Sequence, residues 1–227
     1  MSIVARTILA ASIVSTLAAA GCNIVTPVAY AIEGPGQIDA EFELARKKTV
    51  VFVDDPRNIL PRTALRTALG DAVSFDLMER EILESTVASR DAIAIARAGS
   101  AGNANQLKSV EAVGKALDCA QVIHIQPTVF DLTGRTDDRG IRPTAIVRVK
   151  VMDLELRKRT YPSADSMPEG REVTAIIREK GADALRTRAG RTQVEDELVR
   201  DLALEVAQLF YKHDRIDLGE NLGTRRQ

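Results

Sequence analysis

The chain has 227 residues, 31 of them basic and 32 acidic, so its formal net charge is −1 and no global field points to nucleic acid or to an anionic membrane. Tryptophan is absent and aromatic residues make up 4% of the chain, which argues against recognition of sugars or bases by stacking. The length suits one domain of ordinary size with tails, or at most two small ones, and such a domain can bury a core without disulfide staples.

At the N-terminus a single positive charge, Arg6, precedes a stretch from Thr7 to Gly21 with no charged side chain. The run Leu17-Ala18-Ala19-Ala20-Gly21 closes it with small residues. A charged n-region, an apolar h-region and small residues at the cut are the layout of a secretory signal. The apolar run is about 15 residues, short of the roughly 20 that a membrane span needs. Cys22 follows directly, and this arrangement resembles the lipobox of bacterial lipoproteins. The resemblance implies cleavage before Cys22, a diacylglyceryl group on its thiol and an acyl chain such as palmitate on the new amine. Each buried methylene adds about 0.8 kcal/mol, so two or three chains hold a protein on a bilayer almost permanently. The pattern departs from the family at Ala19, where Leu is preferred. Asn23 stands where Asp resembles an inner-membrane retention signal, which implies an outer-membrane anchor facing the periplasm. The alternative is an ordinary cleaved signal peptide with Cys22 incidental. Cleavage after residue 21 of the 227 leaves 206. With Cys22 lipidated, Cys119 has no partner within the chain, and its place before an apolar strand predicts a buried, inert thiol.

Residues 22–46 read as the lipidated cysteine and a tether, punctuated by Pro27, Gly34, Pro35 and Gly36. A single domain is expected over 47–213. Thr49-Val50-Val51-Phe52-Val53 is a β-branched run suited to a strand covered on both faces. Leu65, Leu69, Val73 and Leu77, flanked by Ala64, Ala68 and Ala72, predict an amphipathic helix from Pro61 to Arg80. Residues 82–87 suggest a short strand, and Ser89 an N-cap for a helix over 90–98. A polar loop over 99–105 leads to a helix over 106–117, with Ser109 inside it. Gln121 to Phe130 reads as a strand in which Pro127 marks an edge or a bulge. The polar loop 133–140 has hairpin chemistry. From Thr144 to Asp153, Ala145, Val147, Val149 and Val151 alternate with Arg148 and Lys150, a strand with one wet face. A turn at 155–159, a loop over 161–170, a strand over 171–177 and a weakly patterned stretch at 179–191 follow. A helix over 193–212, with Leu198, Leu202 and Val206 in its core stripe, closes the domain. His213 at its end would favour the helix dipole, and 214–227 is a polar tail.

The fold class expected is α/β (α+β). A mixed sheet begins strand–helix–strand–helix, continues through a β-hairpin and ends under a C-terminal helix. This order resembles periplasmic domains of penicillin-binding-protein activator lipoproteins, the curli-secretion lipoprotein and the N-terminal domain of the Tol-system propeller protein. Two phrases carry the resemblance, Val113-Gly114-Lys115-Ala116-Leu117-Asp118-Cys119-Ala120-Gln121-Val122-Ile123 and Val147-Arg148-Val149-Lys150-Val151-Met152-Asp153 followed by Tyr161-Pro162. Cys119, Gln121 and Tyr161 depart from the residues usual there. The group shares a scaffold and not a chemistry.

No catalytic signature stands out. His124, between Ile123 and Ile125, is expected to be a hydrogen-bonded structural histidine. No metal-ligand spacing, nucleophile elbow or phosphate loop is present, so no cofactor, no metal and no enzymatic activity is expected. Asp54 and Asp55 end the first strand, where open α/β sheets bind ligands. Their phrase also looks like the magnesium-holding opening of a receiver domain, with Asp131 a possible counterpart, but the hairpin that follows does not fit, and turn chemistry is the plainer role. Arg148 and Lys150, with Arg142 and Arg157-Lys158-Arg159, offer a basic patch for an acidic partner, or a solvated face guarding a sheet edge. The sequence thus points to a lipid-anchored envelope adaptor or assembly factor. It would meet a protein partner through Asp54, Asp55, Arg148 and Lys150, with self-association open. The alternative is a lipoprotein binding a small ligand or cell-wall fragment near Asp54.

Overall fold

The computed structural model describes residues 36–98, 109–134, 141–177 and 181–215. Cys22, the signal and most of the expected tether and tail therefore lie outside the described residues. The chain divides into two units, one holding 36–39 and 212–215, the other Ala40–Tyr211. In the first, β1 (Gln37–Ile38) pairs antiparallel with β8 (His213–Asp214), and Lys212 meets Asp39 at 3.4 Å. His213 thus sits in a strand, not at a helix end.

The second unit carries the fold. It runs β2 (Lys48–Val53), α1 (Thr63–Glu79), β3 (Ser85–Val87), α2 (Ser89–Ala98), α3 (Val110–Ala116), β4 (Gln121–Asp131), β5 (Thr144–Asp153), β6 (Lys158–Tyr161), β7 (Arg171–Ile176), a 3₁₀ turn (Ala182–Leu185) and α4 (Arg188–Gln208). The sheet order is β3-β2-β4-β5-β6, with β7 also on β5. β3, β2 and β4 are parallel, and the remaining pairs antiparallel. This is the expected α+β domain with a mixed sheet and a closing helix.

The crossover from β2 to β3 and the one from β3 past β2 to β4 run in opposite directions. Both must be right-handed, so α1 falls on one face and α2 with α3 on the other. Under α1 and α4, Val51, Val53, Ile123, Ile125 and the odd positions 145–151 of β5 pack against Leu65, Leu69, Leu198 and Leu202. On the opposite face Val50, Phe52 and Val122 meet Ala92, Ile93 and Val113. No helix among the described residues is long and apolar enough to cross a membrane.

Several local expectations are corrected. α1 is capped by Arg62, so Pro61 precedes the helix. Ser109 is not inside α3 but caps it, accepting from the Ala112 N–H at 3.2 Å. Ser89 does not cap with its side chain: its own N–H donates to Asp71 Oδ1 at 3.0 Å, and its hydroxyl is buried against Gly70. The turn expected at 155–159 is tighter, because Asp153 Oδ1 accepts from the N–H groups of Glu155 and Leu156 and Arg157 turns at φ 49°. That turn frees Lys158–Tyr161 to form β6. α4 begins at 188, where Thr187 accepts from the Gly190 N–H, and ends at 208.

Candidate functional site

α2 and α3 pack on β2 and β4 and do not extend across the sheet. On their side of β5 and β7, alternate residues are half-buried or exposed. Strand register orders this open half. Phe52, His124 and Lys150 form one row, and Gln126, Arg148 and Glu172 the next. A bulge between Pro127 and Val129 then adds one residue to β4 and reverses its facing. Val129 therefore joins Ile146 and Thr174 on the open side, while Phe130 turns towards the core.

Asp54 and His124 meet here. His124 is buried, and its Nε2 lies 3.3 Å from Asp54 Oδ2, so the expected structural hydrogen bond is present. Asp55, one residue on, faces the interior. It accepts from the N–H groups of Ile59 at 2.8 Å and Leu60 at 3.1 Å, and Arg66 Nε lies 3.2 Å from it. The two aspartates read together in the sequence thus part company. Asp54 shares a face with Arg148 and Lys150, and Asp55 is a buried turn anchor. Asp131 closes its own turn with Thr133, five residues beyond Gln126 along β4, about 16 Å at strand rise. It is too far from Asp54 for a shared ion, and no group of three metal-ligating side chains occurs among the described residues.

β5 is not an edge. β4 covers one side of it, and β6 and β7 together cover the other. These two run as one strand interrupted by residues 162–170, because Tyr161 pairs with Val151 and Arg171 with Val149. The excursion is pinned over the open face. Arg159 donates to the carbonyls of Met167 and Pro168, and Arg148 Nη1 bonds Glu169 at 2.9 Å. Gly170 rejoins at φ 109°, where a Cβ would meet the Lys150 stem at 3.1 Å. The edge-guarding role for Arg148 and Lys150 therefore falls, and a face in the middle of the sheet takes its place. Lys150 has no hydrogen-bond or ion-pair partner among the described residues. A depression lined by Arg188, Thr192, Asp196 and Arg200 belongs to α4, away from this face. Cys119 is buried, and burial raises its thiol above the ordinary value.

The residues not singled out in the sequence are apolar: Val129, Ile146 and Ile176 on the open half, and Phe75 on the outer side of α1. Period-two alternation from Arg148 would have found Ile146. The other three needed the bulge, the register of β7 and the helix facing.

No family model matches the chain. No curated protein matches it either. Solved structures with a similar arrangement include the PelC dodecamer from Paraburkholderia phytofirmans (13% identity, 78% of this chain and 96% of that one, TM-score 0.38). Others are the hypothetical protein CT253 from Chlamydia trachomatis (14%, 72% and 96%, TM-score 0.41) and the lipoprotein GNA1162 from Neisseria meningitidis (12%, 65% and 88%, TM-score 0.35). These likenesses are distant, and no property of those proteins carries over to this chain.

Proposed function

We propose that the chain is a lipid-anchored envelope protein that acts without chemistry of its own, as an adaptor or assembly factor. Cys22 holds it on a membrane, and Asn23 favours the outer one, facing the periplasm. The observation that carries the docking role is the half of the sheet on which no helix of the described residues packs, where apolar Val129, Ile146 and Ile176 lie beside Arg148 and Lys150. Monomers keep most large apolar side chains out of water, and a rimmed apolar patch in the middle of a sheet is a surface for a partner.

The test is cell fractionation followed by capture after crosslinking in cells, comparing the wild type with Cys22→Ser and Ile146→Asp. The full chain is expected with membranes, and Cys22→Ser in the soluble fraction. The wild type is expected to bring down an envelope protein in a salt-sensitive manner, which Ile146→Asp loses. Membrane retention of Cys22→Ser, or a captured partner indifferent to Ile146→Asp, would overturn the corresponding half of the proposal.

A further inference from the structure

Two apolar patches lie on opposite sides of the domain. On α1, Leu65, Leu69, Val73 and Leu77 face the sheet, and Phe75 points outward with 69% of its surface exposed. On the other side of the sheet Ile146 has Val129 directly opposite it in β4 and Ile176 diagonal to it in β7, the latter 61% exposed.

The charges around the patches differ in sign. Asp71 and Glu79, four residues to either side of Phe75, share its exposed ridge about 6 Å away along the axis. Along β5, Arg148 and Lys150 follow Ile146 on the same face, at about 7 and 13 Å. Glu169 bonds Arg148 and Glu172 lies opposite it, so that cation is offset within the domain. Lys150 is not: its row holds only Phe52 and His124, and Gly170 beside its stem has no side chain. One face is thus an aromatic knob between carboxylates, and the other an aliphatic floor with an ammonium to spare.

We propose that the open half of the sheet receives the α1 face of a second copy of this chain. The proposal rests on the reading of that half-sheet as a docking surface, and names its occupant. Phe75 seats on Ile146, Val129 and Ile176, and Lys150 lies against Glu79, since Asp71 already receives the Ser89 N–H. The two faces differ and point in opposite directions, so the contact is heterologous. Each copy gives one face and receives on the other, and association continues head to tail.

That directionality provides the test. The full chain is purified in detergent as wild type, Phe75→Asp and Ile146→Asp, and masses are followed by sedimentation across a concentration series. Circular dichroism melting confirms that each variant folds, and Lys150→Glu replaces Ile146→Asp should the latter not fold. The wild type is expected to grow with concentration beyond a dimer. Each variant alone is expected to weaken association roughly tenfold or more, the loss usual for an anchor side chain. An equimolar mixture has one sound knob and one sound floor, and should form a one-to-one pair and nothing larger. Glu79→Lys combined with Lys150→Glu should recover association that either change alone weakens.

A wild type that stays monomeric at high micromolar concentration overturns the proposal. Variants of unaltered mass, or a mixture that remains monomeric, also overturn it. If the wild type is monomeric but Ile146→Asp still loses its crosslinked envelope partner, docking stands and the second copy is the wrong occupant. If Ile146→Asp changes neither, both readings fall.

Discussion

Asp54 and Asp55 look alike in the sequence, and the structure gives them unequal weight. Asp55 has no exposed side-chain surface. It holds the turn after β2 through the N–H groups of Ile59 and Leu60, and it faces Arg66, whose side chain is 9% exposed. Asp55→Ala leaves two inward N–H groups and a buried guanidinium without their acceptor. Arg66 keeps only the Asn58 carbonyl, at 2.7 Å. An orphaned donor costs about 1–3 kcal/mol and an uncompensated buried charge about 3–5, and these overlap, so the expected loss is about 3–5 kcal/mol. Against a total of about 5–15 kcal/mol this is roughly a fifth of the stability or more, and about 6–20 °C in melting temperature for a domain of this size. Asp54→Ala removes one 3.3 Å contact from a carboxylate that is 26% exposed, and should cost about 1 kcal/mol or less. Urea unfolding measures both. The midpoint should fall for Asp55→Ala at constant slope and scarcely move for Asp54→Ala, with Asp55→Asn in between because its amide oxygen still accepts. Equal losses at the two positions, or a loss under about 1 kcal/mol at Asp55, would refute the division of roles.

Three further outcomes follow from the packing. A Cβ at Gly70 would lie 2.2 Å from Ser89 Oγ and 2.6 Å from its Cβ, so Gly70→Ala should lower stability by about 1–3 kcal/mol, with Ser89→Gly restoring part of it in the double variant. Glu41 receives Arg171 at 2.6 and 2.7 Å and the Tyr161 hydroxyl at 2.7 Å. The arginine holds its carboxyl below the ordinary value of 4.5, so the clamp is intact above that value and weakens as pH falls through the lower, folded one. Burial raises Tyr161 above its ordinary 10.0, so the tyrosine's share is intact below pH 10 and is lost as pH climbs above it. Glu41→Gln should flatten the acid limb and Tyr161→Phe the alkaline limb of a melting-temperature profile, and unchanged limbs would count against the clamp. Thiol titration should find one group per mature chain, Cys119, reacting fast only in denaturant because burial raises its pKa. Two titratable groups would rule out lipidation of Cys22.

What the sequence revealed divides along the line between local and long-range causes. β2 and β5 were legible because a β-branched run and a strict alternation each state their own burial. The face carrying Arg148 and Lys150 was visible for the same reason. β6 was not, because its four residues are a strand only through the Asp153 turn and the pairing with β5. The first turn of α4 was hidden as well. Arg188 and Gly190 show no apolar stripe, while Arg62 reaches from the head of α1 to Glu195 and Asp196. At Pro127 the alternation itself misleads, since one bulged residue sends Val129 to the opposite face from the one that counting assigns. The same distinction explains why the candidate surface could not be derived from its residues alone. Arg148 and Lys150 matter because no helix among the described residues crosses above them. That follows from the route of the chain, in which the crossovers from β2 to β3 and from β3 to β4 consume α1, α2 and α3 on the parallel half. The hairpin that continues the sheet needs no crossover helix, so no helix of the described residues covers its far face. A βαβ half joined to an antiparallel half leaves such a face by construction, and the side chains on it then decide whether it is merely wet or receives a partner. Here the proposed docking rests on Ile146 and Ile176 beside Lys150, which has no ion-pair partner among the described residues.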